Sequence, residues 1–311
     1  GVFSHIHSDH TTMFTQAKHE CTAIFVSRPT FDLLGVLEQN DEEHPNLSAE
    51  AYFRGRHIHP LDFNTPIVPK MFLRKIDPGN KFSDKITLLE ANHILGSAQV
   101  LVNTNDDKSI LYSSDFSYGT EPVKCDVLIL DATHGDPRFN AVIDGDSLEN
   151  TLCRLVEEYI ESGTPITIRA HVGRLQYTMS VLSQSIDSDI IFLASKKNSR
   201  LAKVYQKWGM PIRNLMDDDL YEAEEIIGGN YPFIEFKTEQ ARPSDVEMSD
   251  KSAVFSLGGH HLGNKTVIQQ LHDPQTNKLT NKFRLEFGDH GNYDGILKYV
   301  DKCKPTLVVT D

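Results

Sequence analysis

His5, His7, Asp9 and His10 stand within six positions of one another, and three imidazoles with a carboxylate at that spacing make a ready set of metal ligands. In an extended segment side chains alternate between faces, so His5 and His7, flanking Ile6, project to one side and can share an ion. Asp9 and His10 follow one turn later, where the chain can fold back and present them to a neighbouring ion, a layout suited to a two-metal centre. These ligand types suit zinc. The plain alternative is a solvated His-rich turn. Two later stretches can complete the set. The alternating run Lys85–Glu90 leads into Ala91-Asn92-His93-Ile94-Leu95-Gly96-Ser97, a tight turn that presents His93. The short apolar strand Ser109–Tyr112 ends in Ser113-Ser114-Asp115, and a carboxylate at a strand end can bridge two cations through its two oxygens. Taken singly, His93 and Asp115 read as ordinary turn residues.

The elements that must carry these residues are legible in outline. At 311 residues the chain exceeds the span of one core, so two cores are expected, and its 39% hydrophobic content is enough to fill them. A strand at 22–26 precedes a helix beginning near Pro29, and further strands lie around Lys85, Gln99, Ser109 and Val127. A second strand–helix rhythm follows: a helix over 147–162, a buried strand at 165–169, a helix from Arg174, a strand at 189–193, a helix over 198–208 and a strand at 253–257. This rhythm predicts a parallel sheet. The strand 282–287 is then expected to return the chain to the first block.

The ligands, in order and approximate spacing, resemble the signature of the metallo-β-lactamase fold, HxHxDH followed by a later His and a later Asp. More specifically, Val127-Leu128-Ile129-Leu130-Asp131-Ala132-Thr133-His134-Gly135-Asp136-Pro137 is similar to the first motif of the β-CASP nucleases. Phe287-Gly288-Asp289-His290-Gly291-Asn292 is similar to their second, and Gly173-Arg174-Leu175-Gln176 to a turn opening a helix of their inserted domain. The branch includes RNA 3′-end processing enzymes and DNA-repair nucleases of the Artemis type. The resemblance implies an α/β fold: an αββα sandwich formed by residues 1–140, an inserted β-CASP α/β domain over 141–281, and a return to the sandwich over 282–311. It implies two zinc ions, one held by His5, His7 and His93, the other by Asp9 and His10, with Asp115 bridging. His290 would then protonate the leaving oxygen, Asp131 would orient its ring, and an activated water would attack phosphorus. Asp311 falls at the position of the third β-CASP motif. It is either a further ligand or a carboxylate that merely ends a strand. The family's strand ahead of HxHxDH is not in the sequence, which looks cut at both ends.

With 31 Lys and Arg against 44 Asp and Glu, the net charge of −13 argues against a generally basic nucleic-acid-binding surface. Local cations at Lys70, Arg74 and Lys75, and at Lys196, Lys197, Arg200 and Lys203, are the candidates to line a substrate path or else are scattered solubility residues. Gly258-Gly259-His260-His261 and His57 with His59 read as turn or surface-loop features, His134 beside Asp131 either lines the cleft or is a hydrogen-bonded turn residue, and Asp41-Glu42-Glu43 and Asp217-Asp218-Asp219 read as solvated loops. The four widely spaced cysteines form no CxxC pair, which points to reduced thiols and a cytoplasmic protein. No stretch is apolar for long enough to span a membrane. The expected partner is a single-stranded nucleic acid, RNA ahead of DNA, for a chain acting alone, as a homodimer or within a processing complex. A small-molecule hydrolase of the same fold and a non-catalytic RNA-binding subunit are the alternatives.

Overall fold

The computed structural model describes residues 1–39, 47–67, 85–139, 145–229, 231–238, 252–258, 268–273, 276–286 and 288–310. Asp311, Lys70, Arg74, Lys75, His260, His261 and Asp41-Glu42-Glu43 lie outside them. The chain is a mixed α/β protein that divides into two compact units, one of Gly1–Asn140 with Asp289–Asp311, the other of Ala141–Gly288.

In the first unit, β1 (Ile24–Ser27) runs directly into α3 (Arg28–Glu38), preceded by two short helices, α1 (Ser8–Thr11) and α2 (Phe14–Glu20). Ser27 caps α3 by accepting from the Thr30 amide at 3.2 Å, and Pro29 sits in the first turn, where its missing N–H costs nothing. After α4 (Ala49–Tyr52), β2 (Ile58–Leu61) pairs in parallel with β1. A second sheet has the order β14-β6-β5-β4-β3. Its antiparallel part is β3 (Lys85–Glu90), β4 (Ala98–Asn103) and β5 (Ser109–Tyr112). Its parallel part continues through β6 (Val127–Leu130) to β14 (Leu307–Thr310).

Period-two alternation along these strands gives the sheet two apolar faces. Leu88, Ala98 and Val100 of β3 and β4 pack with Ala23, Phe25 and Leu61 around the β1–β2 pair. On another side Leu111, Leu128 and Leu130 pack with Ile296, Tyr299 and Cys303 of α9 (Tyr293–Cys303). The amino-terminal segment ties the two sheets together, with Phe3 N donating to Phe25 O at 3.1 Å and Ala98 N donating to Ser4 O at 3.0 Å. His5 is therefore delivered to the end of β4 by main-chain bonds.

The second unit contains α5 (Gly145–Glu161), β7 (Ile166–Ala170), α6 (Arg174–Ser185), β8 (Ile191–Ala194), α7 (Lys196–Lys207), β9 (Leu215–Asp217), α8 (Tyr221–Gly228), β10 (Phe233–Thr238), β11 (Ala253–Gly258), β12 (Ile268–His272) and β13 (Leu279–Glu286). They form a seven-stranded sheet of order β12-β13-β11-β7-β10-β8-β9, parallel except for the edge strand β12. The expected helix–strand rhythm is present, with β9, α8, β10 and β12 added, and β9 takes in Asp217 of the stretch expected as a solvated loop. One boundary differs. The strand expected to return the chain at 282 is β13, which pairs with β11 from Val254–Lys282 to Gly258–Glu286, so the first unit resumes at Asp289. Its alternating pattern, with Phe283 and Leu285 buried, fits either sheet, and only pairing decides.

Candidate metal centre

Every candidate ligand and proton donor in the described residues lies in the first unit. His5 and His7 occupy extended backbone and α1 then turns the chain, its first carbonyl, His7 O, accepting from His10 N at 3.1 Å and Thr11 N at 3.0 Å. That turn folds His10 back until its ring centroid is 4.1 Å from that of His5. The Ser4 hydroxyl lies 3.2 Å from His5 Nδ1 and 3.4 Å from His10 Nδ1, between the two rings.

His93 and Asp115 arrive from the ends of β3 and β5. Each follows a residue in the left-handed region, Asn92 at φ 53°, which asparagine tolerates, and Ser114 at φ 55°, which serine seldom adopts. The Ser97 hydroxyl accepts from the His93 and Ile94 amides at 3.0 and 3.2 Å. Gly96, at φ +83°, is pressed against α3, where a Cβ would lie 2.6 Å from Thr30 N, and its carbonyl accepts from Ser27 Oγ and Thr30 Oγ1 at 2.6 and 2.8 Å.

Four potential donor atoms converge. His5 Nε2 is 3.2 Å from His7 Nδ1, His93 Nε2 is 3.1 Å from His7 Nδ1, and Asp115 Oδ2 is 3.4 Å from His5 Nε2 and 3.5 Å from His93 Nε2. His5, His7, His93 and Asp115 thus form a group with ligand atoms within 4.8 Å of one another that could hold a metal ion. The other oxygen of Asp115 faces away from it and lies 3.1 Å from His10 Nε2. Asp9 reaches the same side, 3.8 Å from His10 Nε2, with its side chain 76% exposed. It stands at the rim of a cavity of about 610 Å³ also lined by Ser4, His10, Asp115, Asp131 and Thr133.

The donor set fits a cation. Asp289 O can only accept, so His93 must donate its Nδ1–H across their 2.8 Å contact, leaving the Nε2 lone pair aimed at the cluster. Burial, with the neighbouring rings, pushes His93 down to about 3 and His5 down to about 4, so both are neutral imidazoles at ordinary pH. Burial alone would raise the Asp115 carboxyl, but hydrogen bonds from His10 and His5 overcome it and hold it ionised, well below the usual carboxylate range. Neutral imidazole nitrogens and a carboxylate facing one another at these distances are what a bound cation requires.

Asp131, from the end of β6, and His290, from the turn before α9, meet beside this cluster. His290 Nδ1–H donates to Asp131 Oδ2 at 2.8 Å, and its Nε2 is 3.9 Å from Asp115 Oδ2. Burial disfavours the imidazolium, yet the Asp131 hydrogen bond and charge outweigh it and raise the His290 pKa. The same contact lowers Asp131 against its own burial.

Three contributors escaped sequence reasoning. Ser4 and Ser114, whose hydroxyls contact His5 Nδ1 at 3.2 and 3.4 Å, carry no signal beyond adjacency to a ligand. Asp289 orients His93 through its carbonyl, and its carboxylate joins His93 and His290 in a second potential ligand group. An acid beside His290 was the available clue.

The fold and site define an α/β protein with a buried histidine–aspartate cluster able to hold a metal ion. The chain is 31% identical over 130 residues to an "uncharacterized protein in lig 3′region" of Acidianus ambivalens, covering 41% of this chain and 91% of that protein, and it belongs to that protein's family. It is also 22% identical over 233 residues to a "probable DNA ligase" of Opitutus terrae, covering 72% of this chain but 21% of that protein, about a fifth of its length. No family model matches the chain. Among the described residues no helix is long and apolar enough to cross a membrane.

Proposed function

We propose that this chain is a metal-dependent phosphodiesterase of the metallo-β-lactamase fold, β-CASP branch, that hydrolyses single-stranded nucleic acid. The observation that carries the reading is the placement of the His290–Asp131 pair, 2.8 Å apart, beside Asp115 of a four-donor cluster. A proton donor beside potential metal ligands suits hydrolysis, where attack and departure must both be assisted. The two packed sheets of the first unit and the parallel sheet of the second agree with a sandwich and its insert.

His5 Nε2, His7 Nδ1, His93 Nε2 and Asp115 Oδ2 would hold one zinc, and His10 and Asp9 a second on the Asp115 Oδ1 side. When bound, two such ions supply Lewis acidity and an activated water. The protein does the rest. His93 is fixed in its tautomer by Asp289 O, so its donor atom needs no reorientation. Asp131 favours the protonated form of His290 and fixes its ring, and the Nε2–H would be the proton delivered to the departing oxygen.

Two polymers fit this chemistry. The motif surroundings favour RNA, whereas similarity to a protein named as a probable DNA ligase favours DNA, with trimming of an end before joining as the corresponding task. The test incubates matched end-labelled single-stranded RNA and DNA with the protein, with zinc or with chelator, alongside H290A. Zinc-dependent cutting of one polymer, lost with chelator and reduced at least ~100-fold in H290A, is expected. Cutting of neither polymer overturns the nuclease reading, and full activity in H290A overturns the proton-donor assignment.

A further inference from the structure

Tyr118 is 93% exposed, the most exposed of the large apolar or aromatic side chains described, and it stands three residues beyond Asp115. At 3.8 Å per residue its Cα lies within about 11 Å of the Asp115 Cα. Single exposed aromatics are common on protein surfaces. The setting of this one is not.

The segment Ser117-Tyr118-Gly119-Thr120 is a β-turn closed by Thr120 N donating to Ser117 O at 3.2 Å, with Gly119 at φ +87° in the third position. A positive φ there is the mark of a type II turn, and it puts Tyr118 at the outer corner. The turn is anchored on both flanks. Ser117 N donates to Ala91 O at 3.1 Å, Ser117 Oγ donates to Asn92 O, and Thr120 Oγ1 donates to Ala91 O at 2.6 Å, which ties it to the two residues preceding His93. On the other side Gly291 N donates to Phe116 O at 2.7 Å, and the Phe116 ring packs on Tyr299 with centroids 4.5 Å apart, which ties it to the residue after His290. Among the described residues no hydrogen bond or ring contact involves the Tyr118 side chain. A rigid turn, braced between a ligand and the proposed acid, thus presents an aromatic face that the fold itself does not use.

We propose that Tyr118 is a base-stacking platform, receiving the nucleobase of a nucleotide that flanks the phosphodiester held at the metal centre. The inference rests on the nuclease reading and adds a binding residue to it. A tyrosine ring offers a large apolar face with only two side-chain torsions to immobilise, and stacking is tolerant of base identity because every base has a π-face. A corner residue on a pinned turn gives that face a fixed distance from the scissile bond. The expected selectivity is for strands whose bases are unpaired.

The experiment titrates the zinc-loaded full chain with a cleavage-resistant phosphorothioate strand carrying one 2-aminopurine, and compares wild type, Y118F and Y118A. Wild type and Y118F should bind alike and quench the fluorophore. Y118A should bind about 5- to 150-fold more weakly, with the quench lost, and that difference should disappear on a strand abasic at the same site. Unchanged zinc content and melting temperature in Y118A separate stacking from structural damage. Equal affinity and quenching in wild type and Y118A overturn the proposal, as does a failure of wild type to bind any strand. Tyr118-dependent binding without cleavage of the corresponding natural strand would leave the platform standing and overturn only the nuclease reading.

Discussion

Replacing Asp131 by Asn tests how the proposed acid is kept charged. Asparagine is nearly isosteric, and its Oδ1 still accepts from His290 Nδ1–H, so the ring stays in place while one negative charge 2.8 Å away disappears. Asp131 is 6% exposed and the His290 side chain 16%, so water screens the pair weakly. An opposite charge at that range is worth about 1–3 pKa units, or about 1.4–4 kcal/mol at ~1.4 kcal/mol per unit. In the wild type this attraction overcomes burial and raises His290; in D131N burial, the largest single influence, is opposed only by the weaker pull of Asp289 and Asp115, and the pKa falls. His290 donates only when protonated, so activity is lost as pH rises through its pKa, and in D131N that loss should begin about 1–3 pH units lower. A cation bound at Asp115 lowers His290 in both proteins, so the displacement between the two profiles is the quantity to read. The assay is the pH dependence of kcat for cleavage of a single-stranded oligonucleotide, with zinc content confirmed in both proteins. An alkaline limb that stays in place or moves upward in D131N would refute the reasoning.

The same pair should register in stability: the raised His290 contributes below its unfolded pKa and loses that contribution as pH climbs through the folded one, while the lowered Asp131 contributes above its unfolded pKa and loses it on acidification. Chemical denaturation should therefore show the stability difference between wild type and D131N greatest between about pH 4 and 6.5. His5 and His93, depressed to about 4 and 3, act oppositely, because the unfolded chain binds protons that the folded metal-free protein refuses. The metal-free protein should lose stability from about pH 6.5 downward, and an apo form equally stable at pH 7 and 5 would contradict the burial of these rings. G96A forces a Cβ to within 2.6 Å of Thr30 N at φ +83° and should cost about 2–5 kcal/mol in thermal unfolding, with no loss expected if the His93 turn can simply slide off α3. The helix α7 carries Lys196, Lys197, Arg200, Lys203 and Lys207 and no acidic residue. Replacing the exposed Lys196 and Lys203 by Ala should make the log–log salt slope of strand binding shallower by about 0.7 for each phosphate that is no longer neutralised; an unchanged slope would return these lysines to the role of solubilising charge.

Local chemistry makes much of this protein legible in its residues alone. The spacing of His5 and His7 around Ile6 follows from strand geometry alone, and both donor atoms do face one point. The helix at Pro29, the strands from Lys85 to Leu130 and the alternating elements from 145 to 207 follow from periodicity and capping residues, which act within a few positions of themselves. The sequence could not determine which sheet Leu279–Glu286 joins, because an alternating strand suits any apolar face and the choice depends on hydrogen-bonding partners far along the chain. Nor could it show that the two oxygens of Asp115 face different histidines, that Asp9 stands at the rim, or that Asp289 orients His93 by its backbone, which any residue type could do. Residue types and short spacings thus determined which groups were available. The tertiary fold decided the 2.8 Å meeting of His290 with Asp131, 159 residues apart, because only packed elements bring such distant groups together, and burial there sets their charge.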